Sequence, residues 1–146
     1  MCEDVPVTYQ IVLKAEQVVM CAKPVYNYFH RPGSISTASV SEKTFHFSQH
    51  TAVIYPYIRD NYPGIVNQAR YLRVRSLVYN LLTLDLAGKE WRRKFSEEYS
   101  HSRKELRKHV SFIMKSPLFG RQERLTNLLL ILGVYRHLRR IYHIIK

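Results

Sequence analysis

From Ile65 to about Leu86 the apolar residues Ile65, Ala69, Leu72, Leu77, Leu81 and Leu84 recur at intervals of three, four or five, the spacing that lines one face of an α-helix. Gly88 closes the run. A helix of that kind needs other apolar stripes to cover it, and the chain supplies them on both sides. Downstream, one helix is predicted from about Lys89 to Lys115, with Trp91, Phe95, Tyr99, Leu106, Val110 and Ile113 in a stripe. Arg92, Arg93, Lys104, Arg107 and Lys108 lie largely off that stripe, and Ser116-Pro117 stops the helix. A last helix, from about Arg121 to the end, sets Val134, Leu138, Ile141 and Ile145 on one face and Arg136, Arg139, Arg140 and His143 roughly opposite.

Upstream, Ser39 stands three residues before Glu42, the spacing of a capping box, so a helix is expected from near position 40 to about Asn61. Pro56 should kink it, and Pro63-Gly64 marks its break from the next element. Residues 3 to 15 place Val5, Val7, Ile11, Val12 and Ala15 at mostly helical intervals, with Pro6 tolerable in a first turn. Between these lies EQVVMCAKPVYNYF, rich in Val, Tyr and Phe and interrupted by Lys23-Pro24, which reads as two short strands or a strand and an extended segment. The fold class expected is therefore mainly α with a small β segment. It would comprise one helix, the β segment, and four helices able to pack as a bundle.

Charge is distributed unevenly. Residues 1 to 88 hold 8 basic and 6 acidic side chains and residues 89 to 146 hold 15 and 5, so the two parts carry +2 and +10 of a total of +12. Such an excess predicts a polyanionic neighbour, either a nucleic-acid backbone or an anionic membrane leaflet. With 46% hydrophobic and 23% charged residues the chain is composed to fold rather than to stay disordered. Cys2 and Cys21 are too few and wrongly spaced for a zinc site, and fit a reducing compartment. The opening residues lack the continuous apolar stretch of a secretory signal. The longest strongly apolar run, Leu128 to Tyr135, is far below the roughly 20 residues of a bilayer span.

Generic motifs are absent: there is no GxGxxG, no Walker-type phosphate loop, no HExxH and no paired Cys/His set. His46 and His50, four apart, share a helical face without a carboxylate partner and are read as ordinary surface or partly buried residues. The N-terminal stretch is more informative. Glu3-Asp4 opens a helix, Val18 to Met20 forms an apolar segment, Tyr26-Asn27-Tyr28 follows, and Arg31-Pro32-Gly33-Ser34-Ile35 makes a turn. In order and spacing this resembles the end of the catalytic domain of family 2 glycosyltransferases with the GT-A fold. The segment YIRDNYPGI and the later Arg-rich region look, more loosely, like the C-terminal extension of bacterial polysaccharide-assembly members. The specific motif covers about a quarter of the chain.

The resemblance implies a nucleotide-sugar-dependent, inverting sugar transfer, in which a carboxylate takes the proton of the attacking acceptor hydroxyl. It makes Asp4 the base and Glu3 its partner at the start of the helix, where backbone N–H groups favour negative charge. It sets Arg31, with His30 beside it, against the donor phosphates, whose charge develops as the diphosphate leaves. Phe29 stands where many members have a further Arg, which leaves open whether His30 or Arg31 does this. Tyr26 and Tyr28, alternating on an apolar strand, read as packing residues.

The resemblance further implies residues 1–36 as the end of a GT-A domain and 37–146 as a helical region. No Asp-x-Asp occurs in the chain, so a divalent metal, Mg or Mn, would belong to the donor-binding half of an intact enzyme. This chain is then expected to be a C-terminal piece that transfers no sugar alone. Its partners would be a nucleotide-sugar donor and a saccharide or lipid-linked acceptor, in the cytoplasm. The basic face bearing Arg136, Arg139 and Arg140 reads either as attachment to the inner, anionic face of the membrane or as the solvated side of a bundle helix. The alternative to an enzyme is a small basic helical module binding nucleic acid or an anionic membrane surface. No helix-turn-helix or aromatic RNA-binding signature supports the nucleic-acid version, and nucleic acid is not expected as a partner.

Overall fold

The computed structural model describes residues 4–24 and 40–136 of the chain. They are mainly helical. Helix α1, Val5–Lys14, begins with Asp4 at its N-cap position and Pro6 in its first turn, where a missing N–H costs no helical hydrogen bond. Asp4 contributes its carbonyl, which accepts from the N–H groups of Val7 at 3.0 Å and Thr8 at 2.8 Å. No side chain of α1 is buried.

Among the described residues there is no β-strand. Val18 to Met20, expected as one, is an unpaired segment in which Val19 is 82% and Met20 93% exposed. A lone strand without a partner ladder or an apolar layer beneath it has nothing to hold its shape, and neither stands beside this segment among the described residues. The rest of the expected β segment, the Tyr26-Asn27-Tyr28 stretch and the 36/37 boundary lie outside the described residues.

A 3₁₀ turn, Glu42–Phe45, leads directly into α2, His46–Asn61. Among the described residues the turn is anchored by Ser41, whose N–H donates to Thr44 Oγ1 at 3.1 Å. Ser39, of the expected capping box, lies outside the described residues. Helix α2 runs through Pro56. After a second 3₁₀ turn, Pro63–Ile65, α3 extends over Val66–Ala87 and is closed by Gly88 at φ 105°, a conformation that favours glycine. At 22 residues it spans about 33 Å and forms the spine of the molecule.

The expected single helix from Lys89 to Lys115 is three: α4 (Lys89–Lys94), α5 (Ser96–Arg107) and α6 (Val110–Lys115). The apolar stripe continues across all three, but the backbone leaves helical geometry at Phe95, φ −110° and ψ 45°, and turns again at Lys108 and His109. Each joint carries a buried ring: Phe95 packs on Phe45 at 5.1 Å between centroids, and His109 is held by Arg70. Burying these rings against α3 outweighs helical continuity, because burial of a large side chain is worth about 1.5–3 kcal/mol and one helical hydrogen bond only about 1.

Helix α7, Arg121–Leu132, does not continue to the end of the chain as expected. It stops at Gly133, which is left-handed at φ 78°. Arg103 and Arg107 both donate to the carbonyl of Ile131, at 2.9 and 3.4 Å, and so place positive charge on the last turn, where the helix dipole favours it. At the other end Gly120 donates its N–H to Glu123 Oε2 at 3.0 Å. Glu123 also accepts from Arg75 at 2.6 Å and Tyr71 at 3.4 Å, tying α7 to α3.

The main core joins Val74, Leu77 and Leu81 of α3 to Leu106, Ile113, Phe119, Leu130 and Ile131. A smaller cluster gathers Phe45, Leu84 and Phe95. Of the stripe expected on α3, Leu77, Leu81 and Leu84 are fully buried, whereas Ile65 and Leu72 remain partly open and face α1 across a groove.

Candidate functional site

Two concave regions stand out. The first is an apolar groove of about 470 Å³ between α1, α2 and α3. Val12 and Leu13 of α1 form one wall, Ile54 and Ile58 of α2 the floor, and Ile65 and Leu72 the opposite side. Asp4 lies on this lining, exposed to solvent and without a side-chain capping bond to α1. Among the described residues its carboxylate makes no hydrogen bond or ion pair.

Of the other residues singled out by the sequence, Glu3, His30, Arg31, Arg139 and Arg140 lie outside the described residues. Arg136 is described, whereas Arg139, Arg140 and His143 of its expected face are not. Arg136 is half-buried, its Nε is shielded from solvent without a hydrogen-bond partner, and its charge acts on Asp85. The turn at Gly133 ends α7 before Arg136 and breaks the helical register on which the expected face depends. Burial pushes the Asp85 carboxyl above its ordinary value, opposed by Arg92 at 3.3 Å, Tyr99 and Arg136. Among the described residues no three His, Cys, Asp or Glu side chains stand together where a metal could bind. A divalent metal finds no holder among the described residues of these elements.

The second region was not foreseen. Between α2, α3 and α5 a pocket of about 320 Å³ opens to solvent over a floor of buried polar side chains. Ser48 comes from α2, Arg73 and Asn80 from α3, and Ser102 from α5, all buried, and the buried Thr51 of α2 and Ser76 of α3 join their network. Arg73 Nη1 donates to the Ser48 carbonyl at 2.5 Å and to Thr51 Oγ1 at 3.3 Å, and Thr51 and Ser76 share a hydroxyl bond of 2.6 Å. Asn80 Nδ2 donates to Ser48 Oγ at 2.7 Å and Ser102 Oγ at 3.1 Å, while its Oδ1 is buried with no partner. Burial holds the Arg73 guanidinium below its ordinary pKa, with Glu105 acting in the opposite direction.

A sequence signal for this network existed. Arg73, Ser76 and Asn80 recur at three and four residues, a polar line within the apolar stripe of α3, and Ser48 and Thr51 repeat the spacing on α2. At the joint between α5 and α6, His109 is buried and accepts from Arg70 Nε at 3.1 Å. Its pKa is lowered to about 4, first by burial and then by Arg70 and Arg73.

No helix among the described residues is long and apolar enough to cross a membrane. Comparison of the chain with protein-family models, with curated proteins and with solved structures returns no match.

Proposed function

We propose that this chain is the C-terminal part of a family 2 glycosyltransferase of GT-A fold, with Asp4 as the base that takes the proton of a saccharide hydroxyl. The acceptor oxygen then attacks the anomeric carbon of the nucleotide-sugar, the bond to the diphosphate breaks with inversion, and His30 or Arg31 meets the departing charge. A divalent metal would bind on the donor-binding unit of the intact enzyme. The reading is carried by one observation: the order Glu3-Asp4, Tyr26-Asn27-Tyr28, Arg31-Pro32-Gly33-Ser34-Ile35, with Asp4 solvent-reaching at the start of α1. Helix α1 supports it, since Val5, Val7, Ile11, Val12 and Leu13 are all left unburied, an apolar surface suited to a further layer of structure.

The test is sugar transfer by the polypeptide that carries this segment together with a donor-binding α/β unit. Asp4→Asn should lower turnover about 10²–10⁴-fold with nucleotide-sugar binding intact. Unchanged turnover overturns the assignment of the base.

A second reading, attachment of the helical region to an anionic membrane surface, draws on α6, α7 and the turn between them. There Met114, Leu118, Leu125 and Leu132 are exposed among the exposed cations Lys115 and Arg121. It would place the enzyme beside a lipid-linked acceptor on the inner face of the membrane.

A further inference from the structure

The polar pocket between α2, α3 and α5 brings together charges of both signs that the protein leaves uncompensated. Arg73 is 6% exposed and has no ion pair among the described residues. Glu105, the acid that acts on it from a distance, is paired with Lys108. Only Nη1 of the guanidinium is committed to protein acceptors, which leaves Nε and Nη2 without one among the described residues. A buried cation in that state favours a bound anion.

Asn80, 2% exposed, imposes the opposite demand. Its amide nitrogen is used by Ser48 and Ser102, so its unpartnered Oδ1 needs a donor. At the mouth of the same pocket stand Glu97 and Glu98, neither in an ion pair among the described residues. A simple anion would satisfy Arg73 but be repelled by these acids and by the Asn80 carbonyl. A simple cation would have the reverse difficulty. A neutral polyol could make hydrogen bonds to all of them yet would neutralise none of the charges.

We propose that this pocket binds a small zwitterion of the α-amino-acid type, its carboxylate on Arg73 and its ammonium between Asn80 Oδ1 and the Glu97–Glu98 pair. The volume of about 320 Å³ suits a ligand of that size, and the buried floor keeps the recognising groups fixed before it arrives. Gln49 and His101, exposed on the rim, are placed to meet its side chain. This site does not depend on the role of Asp4, which lies on the other side of α2 and α3, in a groove sharing no residue with this pocket.

The experiment is a titration of the chain, followed by NMR at the Asn80 side-chain amide, with a panel of natural L-amino acids. Acetate, methylammonium, inorganic phosphate and glucose serve as comparison probes. At least one amino acid should give a saturable shift, with affinity about tenfold or more above acetate and methylammonium, each of which presents half of the recognised group. The double variant Glu97→Gln, Glu98→Gln lies on the rim and removes no ion pair among the described residues. It should weaken amino-acid binding about tenfold while acetate, relieved of the repulsion of the two acids, binds at least as well as before. The proposal is overturned if no amino acid shifts Asn80, if glucose or phosphate binds as tightly as the best amino acid, or if the double variant binds it unimpaired.

Discussion

Arg70 Nε donates to His109 Nδ1 across 3.1 Å, and this bond requires the imidazole to be neutral, because a protonated ring has no lone pair to offer. The folded-state pKa of about 4 lies below the ordinary value of 6.5. Between these values the unfolded chain binds a proton that the folded chain refuses, so stability is full above pH 6.5 and falls as pH drops toward 4. The loss is on the order of 2–3 kcal/mol. Urea denaturation between these pH values should show it, and His109→Gln should flatten that part of the profile. An equally steep profile in the variant would assign the effect to other groups.

Gly133 and Arg103 form a joint that tolerates little change. A Cβ on Gly133 would lie 2.6 Å from Arg103 Nη2, and the left-handed backbone at φ 78° strains any L side chain. Gly133→Ala should cost about 1–2 kcal/mol, mostly as backbone strain, since the guanidinium can swing aside. Arg103→Ala removes the bond to the Ile131 carbonyl at 2.9 Å and should cost about 1 kcal/mol. Thermal melts of the two single variants and the double variant would measure their coupling.

The buried polar floor can be separated from the apolar core. Thr51→Val keeps shape but takes away the partner of Ser76 and one acceptor of Arg73, with an expected loss of about 1–3 kcal/mol. Leu81→Ala, at a fully buried position of α3, should cost about 2–5 kcal/mol, whereas Leu125→Ala, 59% exposed, should stay within about 0.5. A comparable loss at Leu125 would mean that its surface is covered in solution.

Attachment to membranes predicts co-sedimentation with vesicles containing acidic lipid, weakened by salt. Leu125→Glu and Leu132→Glu should reduce it, with the melting temperature little changed because both side chains are exposed. Equal binding to neutral vesicles would count against the electrostatic part of this reading.

Much of the helical frame was legible in the residues. The stripe Leu77, Leu81, Leu84 on α3, the stop at Gly88 and the stop at Ser116 all follow from local rules that need no knowledge of neighbours. The joints at Phe95 and His109 were not legible, because each depends on a ring finding a partner far away in sequence, Phe45 in one case and Arg70 in the other. The turn at Gly133 has a local signal, a glycine within an apolar run, but helical periodicity continues across it, so the expected helix runs on past the point where the backbone turns. Val18 to Met20 has strand composition, but a strand needs a partner ladder, and none stands beside it among the described residues. The Arg73–Asn80 pocket stayed hidden because polar residues on a helix are ordinarily assigned to the solvent side.

The division of the Lys89–Lys115 stretch into α4, α5 and α6 has a consequence for how the molecule can change over generations. In one uninterrupted helix, each residue gained or lost would rotate everything beyond it by about 100° and strip Ile113 from the core. Here the bends at Phe95 and His109 act as phase breaks. An insertion in the exposed part of α4 can be absorbed before Ser102 and Leu106 lose their seats, so length variation is contained segment by segment.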